Sequence, residues 1–189
     1  METEVRQKRR IRRTVKGLAA VLGGLLAAVL LLALLFPISY RVDVTMEGIG
    51  WQLGASATED AVTIQIKGVY HHYLMRDDIF EGDVHIQGVD YTDDKAWSLL
   101  PVTLKEGYGE LTWFSNSSRL ESRHYGFIIA DAGMRRVVVG RQGESFGQQG
   151  GYLITAPADN HNDAVAKTAV LLKKQFGWLQ KIDVSGEYA

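Results

Sequence analysis

Residues that could carry chemistry are few in this chain and widely spaced. Gly143, Glu144, Ser145, Phe146 and Gly147 spell the G-x-S-x-G turn that presents a nucleophilic serine in hydrolases, and Asp159 and His161 follow in an order such a triad permits. A membrane-anchored serine hydrolase using the Ser145 loop is therefore one reading. The flanking residues speak against it. The elbow must pass from a strand straight into a helix, whereas Gln148, Gln149, Gly150 and Gly151 follow here, a run that suits a Gly-rich hairpin or loop.

Histidines invite a metal reading. His71 and His72 are adjacent, so on a strand they point to opposite faces and cannot readily share an ion. His85, His124 and His161 stand apart, and no H-x-x-x-H or H-E-x-x-H spacing occurs. Neither a metal nor any other cofactor is expected. Asp90, Asp93 and Asp94 lack the glycine and distal glutamate of a calcium loop and read as a solvated turn. Asp77, Asp78, Glu81 and Asp83 beside Arg76 could in principle supply an acid–base pair, but no nucleophile accompanies them. No catalytic residue is assigned, and a binding protein is the stronger expectation than an enzyme. Asn116, Ser117 and Ser118 match a glycosylation acceptor, meaningful only in a eukaryotic secretory route. The aromatic group Tyr70, Tyr73, Phe80, Tyr91, Trp97, Trp113 and Phe114 could form a sugar- or peptide-binding platform. Core packing explains it better, because several members fall on the apolar phase of their strands.

The elements that must position these residues divide sharply by composition. Gly17 to Phe36, reading GLAAVLGGLLAAVLLLALLF, holds no charge and is long enough to cross a hydrocarbon core as a helix at about 1.5 Å per residue. Before it, residues 1–16 carry Arg6, Lys8, Arg9, Arg10, Arg12, Arg13 and Lys16 against Glu2 and Glu4. Basic flanks stay in the cytoplasm, so Arg9, Arg10, Arg12, Arg13 and Lys16 orient the segment with its N-terminus inside. The apolar stretch is longer than a signal-peptide core and ends in Leu34, Leu35, Phe36, Pro37 and Ile38 without an A-x-A-like cleavage site, which favours a retained signal-anchor. Small residues recur along one face at Ala20, Gly24 and Ala28, spacing that lets two backbones approach in lipid. That face could serve self-association or a membrane or envelope partner, which gives a third reading, a structural membrane subunit.

The net charge of −1 thus hides a basic arm and a mildly acidic remainder, a poor candidate for sequence-independent nucleic-acid binding, so no nucleic-acid partner is expected. Cysteine is absent, which excludes disulfides and thiolate chemistry. After a short linker at 37–40, residues 41–189 change to period-two alternation. Val42, Val44 and Met46 alternate with polar residues, as do Val62, Ile64 and Ile66, and Val84 and Ile86. Further strands are expected at 101–105, 110–115, 124–130, 135–140 and 152–156, with a hairpin turning at Asp131, Ala132 and Gly133. A helix follows Asp159–Asp163, with Val165, Ala169, Leu172 and Phe176 on one face. Many strands and then one amphipathic helix predict an α+β extracytoplasmic domain built on a mainly antiparallel sheet.

The run Gly68, Val69, Tyr70, Tyr73, Leu74, Asp77, Phe80, Gly82, Ile86 and Gly88, with Thr155, Ala156, Pro157 and Ala158 ahead of the last helix, resembles a group of small single-pass membrane-anchored proteins of Gram-positive bacteria. The resemblance implies the same cell-membrane topology and supplies no activity. Sequence alone therefore points to an anchored binding or sensing module in contact with the bilayer, as part of a cell-envelope complex, with its ligand unassigned.

Overall fold

A computed structural model describes residues 16–18, 20–29, 32, 36–52, 59–117, 121–141 and 151–175. Nine strands occur among them: β1 (Ile38–Gln52), β2 (Glu59–His72), β3 (Asp78–Ile86), β4 (Trp97–Leu99), β5 (Val102–Leu104), β6 (Tyr108–Ser115), β7 (Ser122–Ala130), β8 (Val137–Arg141) and β9 (Tyr152–Ala156). Besides the helical residues 16–18, 20–29 and 32, two helices accompany them, the single turn α1 (Asp90–Asp93) and α2 (His161–Gln175). The domain is α+β with a mostly antiparallel sheet, as the alternation predicts.

The strands lie in the order β4-β6-β7-β8-β9-β1-β2-β3-β5. β4 and β5 are two halves of one strand broken at Leu100 and Pro101, where proline has no N–H to give a ladder. β4 pairs with β6, Trp97 opposite Ser115, while β5 pairs with β3, Val102 opposite Phe80. A tight turn joins β5 to β6 through two backbone bonds between Lys105 and Tyr108, at 2.8 and 2.9 Å. Its central residues Glu106 and Gly107 both have positive φ, 52° and 87°, the twist that a two-residue hairpin requires. An up-and-down meander thus runs almost full circle, since β1 also pairs with β9, Ile49 opposite Thr155.

Period-two patterning places one face inside this nearly closed barrel. Ile64, Ile66, Phe80, Val84, Ile86, Leu111, Ile128 and Val139 are buried there without exposed surface. A ring of about eight strands leaves room for little but side chains, so sites are expected at the mouths. β7, β8 and β9 are buried on both faces, because α2 covers their outside. Outward residues Tyr108, Ile129, Val138, Thr155 and Ile49 are successive cross-strand partners under that cover. Ala164, Thr168, Leu171 and Leu172 of α2 are buried against it. The buried stripe is rotated from the expected one: Val165 and Ala169 are half-buried at its edge, and Phe176 lies outside the described residues. Thr168 occupies the centre because its hydroxyl meets that of Thr155 at 2.7 Å, and Thr155 in turn accepts the Trp51 indole N–H at 3.1 Å.

Residues 16–18, 20–29 and 32 are helical, and Leu18, Leu22, Leu25 and Leu26 on them are more than half exposed. Among the described residues no helix is long and apolar enough to cross a membrane. Arg9, Arg10, Arg12 and Arg13 lie outside the described residues, and Lys16 is exposed. Of the described residues, those up to Ile38 and Tyr73–Arg76 group as one compact unit, and the others as a second.

Candidate functional site at the barrel mouth

The end of the barrel where β3 finishes and β7 begins gathers aromatic and cationic side chains. Thr92 fixes α1 there: it is buried, accepts the Ile86 N–H at 3.0 Å and donates to the Val89 carbonyl at 2.8 Å. That turn presents Tyr91 edge-on to Trp113, ring centroids 5.5 Å apart, with Trp97 at 6.1 Å. Asn116 steadies the loop ahead of β4 by donating to the Ser98 hydroxyl at 2.9 Å and the Lys95 carbonyl at 3.2 Å. On the other wall the β6–β7 register slips between Leu111 and Thr112, which face Gly126 and His124, leaving Tyr125 as the extra residue of a bulge. Bulges re-aim side chains. Here Tyr125 turns into the core against Trp113, at 6.4 Å.

Arg123 lies across the resulting box, its guanidinium carbon 4.7 Å from the Trp97 ring centroid and 5.2 Å from that of Tyr91. Stacking of this kind is worth about 0.5–1 kcal/mol at an exposed site and restricts the side chain to few orientations. An open pocket of about 380 Å³ adjoins it, lined by Gly88, Val89, Asp90, Tyr91, Arg123, His124, Tyr125 and Arg141. Among the described residues no carboxylate lies within ion-pair distance of Arg123 or Arg141. Burial raises the Tyr91 phenol pKa, while the positive charges of Arg123 and Arg141 pull it the other way, so both guanidiniums act on the same small volume. Two guanidiniums, one of them over aromatic rings, line this pocket together with Asp90, and guanidinium is the group whose fork of N–H donors matches a phosphate or carboxylate.

At the opposite mouth Tyr40 stacks on Tyr70 at 5.2 Å, and the Tyr70 hydroxyl donates to Asp78 at 2.7 Å. His72 Nδ1 lies 2.9 Å from the same carboxylate. The Tyr70 phenol is pushed far up by burial first and then by its bond to the Asp78 carboxylate. A wider cleft of about 610 Å³ runs from Tyr40–Val44 to the Asp131–Arg135 turn. There the Asp131 carboxylate is occupied, accepting the Arg135 and Arg136 N–H groups and the Arg136 side chain.

His71 and His72 do part company as the strand alternation requires: His71 faces Ser39 at 2.7 Å, and His72 faces Asp78. Ser39, His71 and Glu81 have the order of a hydrolytic relay, yet the His71 to Glu81 separation of 3.8 Å is too long for a hydrogen bond. His85 sits 3.2 Å from Asp93, His124 beside Thr112, and His161 edge-on to the Trp51 ring. Among the described residues no group of three His, Cys, Asp or Glu could hold a metal ion. Ser145 lies outside the described residues. Asp90 and Asp93 belong to the helical turn α1 where the composition suggests a plain turn. Of the aromatic group, Tyr70, Phe80 and Trp113 are core, whereas Tyr91 and Trp97 are half-buried at the mouth. Ala20, Gly24 and Ala28 are exposed, and a Cβ added at Gly24 would meet nothing within 4 Å. No protein-family model, curated protein or solved structure matches the chain.

Proposed function

We propose that the chain is a single-pass protein of the cell membrane, N-terminus in the cytoplasm, that displays its barrel outside as a binding or sensing module for an anionic group within an envelope complex. In this reading residues 1–16 are the cytoplasmic arm, Gly17–Phe36 an uncleaved anchor, 37–40 a linker and 41–189 the extracytoplasmic domain. The observation that carries the binding role is the Arg123 guanidinium laid over Tyr91 and Trp97, with Arg141 lining the same pocket. A guanidinium already oriented loses less freedom when it grips an anion, so the stacking favours binding as well as stability. The uncharged length of Gly17–Phe36 and the basic arm before it support the topology.

Calorimetric titration of the full chain in nanodiscs, with inorganic phosphate in one arm and glucuronate in the other, tests the reading and tells which anion is preferred. A charge-assisted hydrogen bond contributes about 1.5–3 kcal/mol, so Arg123→Gln should weaken binding about tenfold or more. Arg123→Lys keeps the charge but not the fork, and should recover only part of the loss. Absence of heat with both anions, or an unchanged affinity in Arg123→Gln, would remove the proposal.

A further inference from the structure

The turn between β2 and β3 carries Leu74 and Met75 at its tip, 54% and 77% exposed. Two exposed aliphatic side chains are unremarkable by number, but their place in the chain is informative. β1 and β2 run antiparallel, for Ser39 bonds to His71, Tyr40 stacks on Tyr70, and Asp43 faces Lys67 at 3.8 Å. The chain therefore enters β1 and leaves β2 at the same end of the barrel. It enters β1 at Ile38, directly after the apolar run that ends at Phe36. Consistent with that connectivity, Tyr73–Arg76 group in one compact unit with the described residues up to Ile38. The tip is also flanked as a membrane-interface segment should be. The Arg76 guanidinium carbon lies 3.6 Å from the Tyr73 ring centroid, pairing an aromatic ring with a cation that can reach lipid phosphate.

From these observations we infer that Tyr73–Arg76 is a second membrane contact, seating Leu74 and Met75 at the boundary between headgroups and acyl chains, with Tyr73 and Arg76 at the level of the phosphates. Exposed Asp77, next in sequence, sets the limit of insertion, because a carboxylate is costly to take out of water. This inference rests on the anchored topology proposed above, and its test separates the two.

Because the chain has no cysteine, single labels can be placed without further changes. Met75→Cys, Leu25→Cys and Lys95→Cys, each in the full chain, are labelled with a nitrobenzoxadiazole probe and reconstituted in phosphatidylcholine–phosphatidylglycerol vesicles. Spin-labelled lipids carry the quencher either near the headgroup or near the acyl end, and all three sites are exposed, so the fold tolerates the changes. The Met75 probe should shift to the blue and be quenched by the shallow label, the Leu25 probe by the deep label, and the Lys95 probe by neither. Quenching at Leu25 without quenching at Met75 would overturn the inference and leave the anchor standing. Equal quenching at Lys95 and Met75 would overturn it as well, and no quenching at Leu25 would remove the anchored reading together with it.

Discussion

Removing the hydroxyl of Thr155 tests how α2 is fastened to the barrel. Thr155 is 1% exposed and Thr168 carries no exposed surface, and Trp51, Thr155 and Thr168 form a continuous buried chain at 3.1 and 2.7 Å. Thr155→Val keeps the shape but leaves the Trp51 N–H and the Thr168 hydroxyl both without that partner. A buried group left unsatisfied costs about 1–3 kcal/mol, so the loss should be about 2–4 kcal/mol. Thr168→Val removes one bond while Thr155 keeps Trp51, and should cost about 1 kcal/mol. In a chain of this size each kcal/mol lowers Tm by about 2–4 °C, readable by near-UV circular dichroism of the full chain in mild detergent. The informative quantity is the double-mutant cycle, because once Thr155 is valine the second change removes nothing further from the pair. The two effects should then fall short of additivity by about 1 kcal/mol. Additive effects, or a Thr155→Val loss below about 1 kcal/mol, would refute the relay as the fastening of α2.

Three further outcomes are expected. Glu106 holds φ of 52° in the β5–β6 turn, so Glu106→Asn, which tolerates that region, should raise stability by about 0.5–1 kcal/mol in a urea titration, whereas Glu106→Val should lower it. The Asp163 carboxyl is held below the ordinary carboxylate range, first by its hydrogen bond from Lys167 and then by the Asp159 N–H. Its contribution to stability is therefore present above the ordinary carboxylate pKa and lost as pH falls through the depressed value; carbon-13 titration should show Lys167→Met raising that midpoint. Gly24→Leu should weaken self-association measured by energy transfer in vesicles if the Ala20, Gly24 and Ala28 face packs helices, and an unchanged signal would dismiss that face.

Much of the barrel is legible in the sequence because its inner face is apolar at every second position. Val62, Ile64 and Ile66 announce β2 without help, and the Asp131–Gly133 turn places β7 against β8. The expected α2 stripe shares Leu172 and the edge residue Val165 with the buried one but misses its centre, because the contact there is a threonine pair and polarity on a helix reads as solvent. Closure is legible only in three dimensions, since it depends on β1 meeting β9 about a hundred residues later. The arginine site is harder still. Arg123 looks like any strand-end charge, and only the β-bulge at Tyr125 and the return of β4 beside β6 bring Trp97 and Tyr91 beneath it.

Impermeant maleimide applied to intact cells producing single-cysteine variants tests the proposed topology, with the barrel outside the membrane and the basic arm inside. Lys95→Cys, on an exposed residue beyond the end of β3, should be labelled without lysis, and Glu4→Cys in the basic arm only after lysis. Labelling of Glu4→Cys on intact cells with Lys95→Cys protected, or protection of both until lysis, would contradict that topology.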